Sequence, residues 1–72
     1  MKPVINQDGE KVMLVFPSFL DADSFIERLR EKLGKKIDGI SKDRSQIRVK
    51  NFDYCRLTFN ASDFKEIIEP VL

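Results

Sequence analysis

Apolar and polar residues are arranged along residues 2–16, KPVINQDGEKVMLVF, in a way that predicts a β-hairpin. Asp8 and Gly9 suit a two-residue turn, because both central residues of a type I′ turn need positive φ. Pairing outward from that turn predicts Gln7 opposite Glu10, with apolar residues opposite one another farther from the turn.

The second strand of this hairpin, Val12–Phe16, is apolar at every position. A strand with one face in solvent alternates apolar and polar residues, whereas a continuous apolar run is typical of a strand covered on both faces. We therefore predict a central strand with both faces covered. Pro3 cannot donate a hydrogen bond to a neighbouring strand, which places the first strand at a sheet edge.

The next segment, DADSFIERLREKLG, predicts an amphipathic helix that begins near Asp21 and ends at Gly34. Asp21 is the predicted N-cap, because its carboxylate can accept a free backbone N–H of the first turn. Gly34 is the predicted stop. Five apolar residues fall at the offsets of one helix face, and charged residues occupy the other side. The five are Ala22, Phe25, Ile26, Leu29 and Leu33.

The rest of the chain predicts three more strands and a closing helix, in the order β-β-α-β-β-β-α. Residues 35–43 form the weakest of these strands, residues 46–59 form two strands around a turn, and residues 60–72 form a helix capped by Asn60. We expect a single α+β domain over residues 1–72, a two-layer sandwich of a mainly antiparallel sheet with two helices on one face. As a pattern of elements it resembles ferredoxin-like and other split β-α-β arrangements.

The late hairpin, QIRVKNFDYCRLTF, predicts a separation of chemistry between the two sheet faces. A three-residue loop centred on Phe52 places Arg48 opposite Arg56. The apolar residues of both strands then share the face toward the helices, and a tyrosine lies among three cations on the opposite face. That opposite face is the candidate binding face, and its residues are Arg48, Lys50, Tyr54 and Arg56.

The opposed pair Arg48 and Arg56 leaves two alternatives open. Directly opposed like charges cost up to about 1 kcal/mol. In the first alternative the two side chains splay into water, where screening removes most of this cost. In the second, an acidic partner binds between them. Open sheets with aromatic residues among basic ones bind single-stranded RNA, but only Tyr54 and Phe52 are available here for stacking on bases. The apolar run Val12–Phe16 adds hydrophobic side chains to the same face, which favours a protein partner, including a second copy of the chain.

Composition narrows the class of protein. The 72 residues carry a net charge of +1, and 42% hydrophobic and 35% charged residues are typical of a globular domain. Residues 28–56 hold ten basic and four acidic side chains, an uneven distribution that hints at an anion-binding surface. The longest apolar run is far below the about 20 residues needed to span a bilayer, and no secretory signal begins the chain. We expect a cytoplasmic protein without membrane contact.

Candidate catalytic and metal-binding residues are few. Cys55 is the lone cysteine and no histidine is present to activate it, so we interpret it as a small apolar core residue. Glu66 and Glu69 have no partner ligands at a recognisable spacing, and glycine-rich nucleotide motifs are missing. We therefore expect no enzyme activity, cofactor or metal. The predicted function is a protein–protein interaction module, including a homodimer, with weak RNA, single-stranded DNA or anion binding as the alternative.

Overall fold

The computed structural model describes residues 3–72, so Lys2 of the predicted first hairpin lies outside the described residues. Four strands form one antiparallel sheet: β1 (Val4–Asp8), β2 (Lys11–Phe16), β3 (Lys42–Val49) and β4 (Phe52–Asn60). Helix α1 (Phe19–Leu33) runs into a 3₁₀ turn (Gly34–Gly39). The C-terminal helix, residues 61–71, consists of an α-helical turn α2 (Ala61–Asp63), a wider π turn (Phe64–Ile68) and a 3₁₀ turn (Glu69–Val71).

The strands lie in the order β1-β2-β4-β3, and both helices pack on one face of the sheet. The prediction of a two-layer α+β fold is confirmed. Strand alternation and the register of β2 against β4 place their buried side chains on the same face, where α1 and the C-terminal helix complete the core. The buried side chains are those of Val12, Leu14, Phe16, Ala22, Phe25, Leu29, Ile37, Ile40, Cys55, Leu57, Phe59, Phe64 and Ile68.

The strand predicted over residues 35–43 is wrong, because most of that segment is the 3₁₀ turn Gly34–Gly39. Ile37 and Ile40 are both buried. Their spacing of three residues equals one turn of a 3₁₀ helix, which brings residues i and i+3 to the same side. The described chain therefore has the order β-β-α-β-β-α, with four strands where the sequence predicted five.

Helix α1 begins one turn earlier than predicted, and Ser18 is its N-cap in place of Asp21. The Ser18 hydroxyl oxygen accepts the backbone N–H of Asp21 at 3.2 Å and donates to the Asp21 carboxylate at 3.0 Å. Asp21 thus lies in the first turn, where its negative charge complements the helix dipole. The predicted end is confirmed, since Gly34 adopts a positive φ of 59°.

The first hairpin is confirmed, with β1 at the sheet edge and β2 in a central position, but its turn is one residue later than predicted. Asp8 pairs with Lys11, so Gly9 and Glu10 are the two central residues. Gly9 has a φ of +59°, and positive φ at the first central residue alone is the pattern of a type II′ turn. The shift moves each pair by two residues, so every side chain keeps its predicted face.

The C-terminal helix is tied to the first hairpin by two polar contacts. The backbone N–H of Ala61 donates to the carbonyl oxygen of Glu10 at 2.7 Å, and the Lys11 ammonium donates to the Asn60 side-chain oxygen at 2.8 Å. Asn60 occupies the predicted cap position, but its side chain makes no capping bond. The first free donor of this helix is instead satisfied by a carbonyl 51 residues away in sequence.

Candidate binding face

The late hairpin turns at Lys50 and Asn51, and this position decides which side chains share a face. Both residues have positive φ, 49° and 69°, as the central residues of a type I′ turn do. Arg48 therefore pairs with Asp53, and Arg56 pairs with Ser45. The predicted opposition of Arg48 and Arg56 is wrong. The register differs from the predicted one by an odd number of residues, which moves every β3 side chain to the other face of the sheet.

Arg48 lies on the face that carries the helices, where it forms a two-pronged ion pair with its cross-strand neighbour Asp53. Its Nε and Nη2 atoms donate to the two carboxylate oxygens at 2.9 and 3.2 Å. This hydrogen bonding holds the pKa of Asp53 below its ordinary value and raises the pKa of Arg48. The charge of Arg48 is thus already partnered within the chain, away from Tyr54 and Arg56.

Tyr54 and Arg56 remain together on the opposite side of the sheet, and both are half-buried. Lys50 is exposed in the turn itself. The Nε of Arg56 donates to the Ser45 hydroxyl at 3.2 Å, which fixes the guanidinium beside β3. Of the four residues predicted to form one basic face, the structure places two on a common sheet face, one in the turn and one on the helix side.

We call the side of the sheet opposite the helices the open face. Its apolar side chains are not among those that pack on the core. At one end of the β3–β4 hairpin, Ile47 pairs with Tyr54 and Val49 pairs with Phe52. In the middle of the sheet, Arg56 lies between Ser45 of β3 and the half-buried Val15 of β2. The apolar members are Val4, Met13, Val15, Ile47, Val49, Phe52 and Tyr54.

Several apolar side chains of the open face are largely exposed to solvent. Phe52 is 66% exposed, Val4 63% and Val49 51%, while Met13 and Val15 are half-buried in the middle of the face. The prediction that β2 is covered on both faces holds for its helix side only, where Val12, Leu14 and Phe16 are buried. Polar side chains share this face, so its apolar residues lie in two groups, one on β1 and β2 and one where Phe52 and Val49 end the β3–β4 hairpin. The polar residues include Asn6, Asp43, Ser45, Arg56 and Thr58. The exposed apolar groups opposite the core are the feature of this fold that most needs a partner.

The predicted register placed Ile47 and Val49 on the side that faces the helices, whereas the structure places both on the open face. Their alternation with Gln46 and Arg48 is typical of a strand whose apolar side faces the core. The helices cover β2 and β4, however, and β3 lies beyond them at the sheet edge. Asn51 carried a usable signal, because asparagine adopts positive φ more readily than most residues and is favoured in two-residue turns.

Basic side chains of the edge strand β3 lie over the margin of the core. The Arg44 guanidinium stacks on the Phe19 ring at 4.5 Å from its centroid and pairs with the Asp23 carboxylate at 3.1 Å. The Lys42 ammonium donates to the carbonyl oxygen of Ile37 at 3.2 Å. These long side chains shield apolar core atoms with their stems and keep their charges at the surface. The basic middle of the chain is therefore divided among α1, the 3₁₀ turn, β3, the late hairpin turn and β4.

The structure also bears on the other candidate features, namely the lone cysteine, a metal site and a membrane-spanning helix. Cys55 is fully buried in the core, as predicted. Within residues 3–72, no three histidine, cysteine, aspartate or glutamate side chains are grouped so as to hold a metal ion. No helix in the described part of the chain is long and apolar enough to cross a membrane. Comparison with protein-family models, curated proteins and solved structures finds no match for this chain.

Proposed function

We propose that this chain is a non-enzymatic protein-binding module whose open face is covered by another polypeptide. The observation that carries the proposal is the exposure of large apolar side chains on the open face, where Phe52, Val4 and Val49 are each more than half exposed. Protein–protein interfaces have an apolar centre enriched in aromatic residues and arginine, with a polar rim. Here Tyr54, Phe52 and Arg56 supply those residue types on one face of the sheet.

The energetics favour an occupied face. Complete burial of one large apolar side chain contributes about 1.5–3 kcal/mol, and association costs at least about 4 kcal/mol in lost translational and rotational freedom. Phe52, Val4 and Val49 are more than half exposed, so covering these three can offset the lower end of that cost. The half-buried Met13, Val15 and Ile47 add a smaller share. The face is thus suited to a polypeptide partner with its own apolar patch.

Binding of RNA or single-stranded DNA is less well supported. Arg48 is paired with Asp53 on the helix side, so Arg56 is the cation beside Tyr54 on the open face. Lys11 is also on this face, and its ammonium donates to Asn60. A nucleic-acid backbone is held by several cations, and binding then weakens steeply as salt increases. A fluorescent oligonucleotide titration at low salt separates the two functions: tight, salt-sensitive binding would favour nucleic acid over protein.

Photo-crosslinking in the native cell tests the proposal. The variant Phe52→p-benzoylphenylalanine places a photoreactive aromatic side chain on the open face. The matched control is Leu20→p-benzoylphenylalanine, because Leu20 is 78% exposed on α1, in the layer that packs on the opposite side of the sheet. We expect discrete protein adducts from position 52 and none of the same mass from position 20. Identical adducts from both positions, or none from position 52, would refute the proposal.

The proposal includes a cytoplasmic location. The lone cysteine is buried and unpaired within the chain, and the fold has no disulfide. Small secreted domains commonly depend on disulfides for stability, whereas cytoplasmic proteins keep their thiols reduced. Fractionation of cells that express the tagged chain would show it outside the cytoplasm if this part of the proposal is wrong.

A further inference from the structure

We infer that the polypeptide covering the open face is a second copy of this chain, packed sheet against sheet around a two-fold axis. The inference rests on the proposed function and names its partner. In such a dimer the layers would run helix, sheet, sheet, helix, and the side chains of Met13 and Val15 would enter the central layer. Strand β2 would then be covered on both faces, as its continuous apolar run implies.

The charges of the open face are self-complementary. Arg56 carries five N–H donors, and the structure shows one of them donating to Ser45. Asp43 lies two residues before Ser45 on β3, on the same face, and makes no ion pair within residues 3–72. A two-fold axis makes each contact occur twice, so Arg56 of each copy can meet Asp43 of the other. Each Arg56 buried in the dimer thereby gains an acidic partner, because a buried charge without one is strongly destabilising.

The size of the face fits a dimer that uses all of it. Strands of five to nine residues, spaced about 4.8 Å apart and rising about 3.3 Å per residue, give the face a flat area of about 450 Å². Protruding side chains make the accessible surface larger than this flat area. Two such faces therefore bury about 1,000 Å² in total, the lower bound for a specific interface. The net charge of +1 adds little repulsion between copies.

Edge-to-edge pairing of two copies through β3 is disfavoured by charge. Strand alternation places Lys42, Arg44 and Arg48 on the same side of this edge strand. A symmetric antiparallel pairing centred on Ser45 would set Lys42 opposite Arg48 of the other copy, and a pairing centred on Gln46 would set Arg44 opposite Arg48. Opposed like charges weaken both registers, and inward charged residues on an edge are a common defence against such pairing. The open face is therefore a better surface for self-association than the β3 edge.

Sedimentation equilibrium of the purified chain, from low to high micromolar concentration, tests the inference through a charge exchange. Arg56→Asp alone and Asp43→Arg alone should each raise the dimer dissociation constant on the order of 30-fold or more, because each leaves like charges opposed in the interface. The double variant Arg56→Asp/Asp43→Arg should restore the dissociation constant, because it recreates the pair with exchanged signs. Leu20→Lys is the control that should leave association unchanged.

Each outcome is decisive. Wild-type protein that approaches twice the 8.4 kDa chain mass, together with rescue by the double variant, supports the inference. Wild-type protein that stays monomeric at every concentration overturns it, as do single variants that dimerise normally with circular dichroism spectra like the wild type. A monomeric chain that still gives protein adducts from position 52 in cells would refute the second copy alone, whereas loss of those adducts refutes the proposed function.

Discussion

The turn of the late hairpin supplies the sharpest test of the sheet register. Lys50 has a φ of +49°, a conformation that costs an ordinary L-residue about 1–2 kcal/mol and costs glycine almost nothing. Replacing Lys50 with glycine removes that strain. It also raises the conformational entropy of the unfolded chain, which lowers stability by about 0.5–1 kcal/mol. We therefore expect Lys50→Gly to raise the free energy of unfolding by about 0.5–1 kcal/mol net.

Urea unfolding monitored by circular dichroism measures the change directly, and thermal unfolding gives a second reading. For a domain of this size, 1 kcal/mol corresponds to about 4–8 °C in Tm, so Lys50→Gly should raise Tm by several degrees. The matched control is Gln46→Gly in the middle of β3, which should lower stability by about 0.5–1 kcal/mol, because glycine weakens a strand interior. All samples are kept at one low micromolar concentration so that self-association contributes equally.

The sign of the effect at Lys50 decides between the two registers. With a three-residue loop centred on Phe52, Lys50 would be an ordinary strand residue, and Lys50→Gly would destabilise the fold as Gln46→Gly does. A loss of stability would refute the two-residue turn and the pairing of Arg48 with Asp53. It would also remove Ile47 and Val49 from the open face, on which the proposed function depends.

Three further measurements test other parts of the fold. Ser18→Ala should lower the free energy of unfolding by about 1 kcal/mol, because the Ser18 hydroxyl caps α1, and an unchanged urea midpoint would contradict that role. Cys55 should react with a thiol reagent such as DTNB only as fast as the chain opens, since it is fully buried; an immediate reaction would show that it is accessible. The Arg48 hydrogen bond lowers the pKa of Asp53, so the stability this carboxylate contributes is complete above its unfolded-state pKa of about 3.9 and is lost as pH falls through the lower folded-state pKa. Arg48→Gln should raise that pKa toward the ordinary value of an aspartate in an NMR titration, and no change would mean that the ion pair does not form in solution.

The core and the layer arrangement were predictable because they depend on periodic patterns. The apolar stripe of α1 repeats with the helical period, and its members Ala22, Phe25 and Leu29 are all buried. The alternation of Cys55, Leu57 and Phe59 likewise identified the helix-facing side of β4. Such patterns survive small errors at element ends, because each rests on several residues.

The features that were not predictable depend on single residues or on distant packing. The cap at Ser18 and the turn at Lys50 and Asn51 are each decided by one or two local conformations. Ile37 and Ile40 have a spacing that suits a 3₁₀ turn as well as an irregular strand, and only the surrounding core selects between them. The open face lost its predicted basic character because the turn at Lys50 and Asn51 moves Arg48 to the helix side, a shift for which Asn51 was the one local signal.

The strand order has a consequence for the growing polypeptide on the ribosome. The central neighbours β2 and β4 are separated by α1 and β3 in sequence, and β4 is the last strand to be synthesised. Until Phe52–Asn60 has left the exit tunnel, β2 has only the edge strand β1 beside it and α1 has half of its sheet. Most of the domain therefore cannot complete its sheet until β4 has emerged, and the apolar run Val12–Phe16 is the segment that a nascent-chain chaperone would protect in the interval.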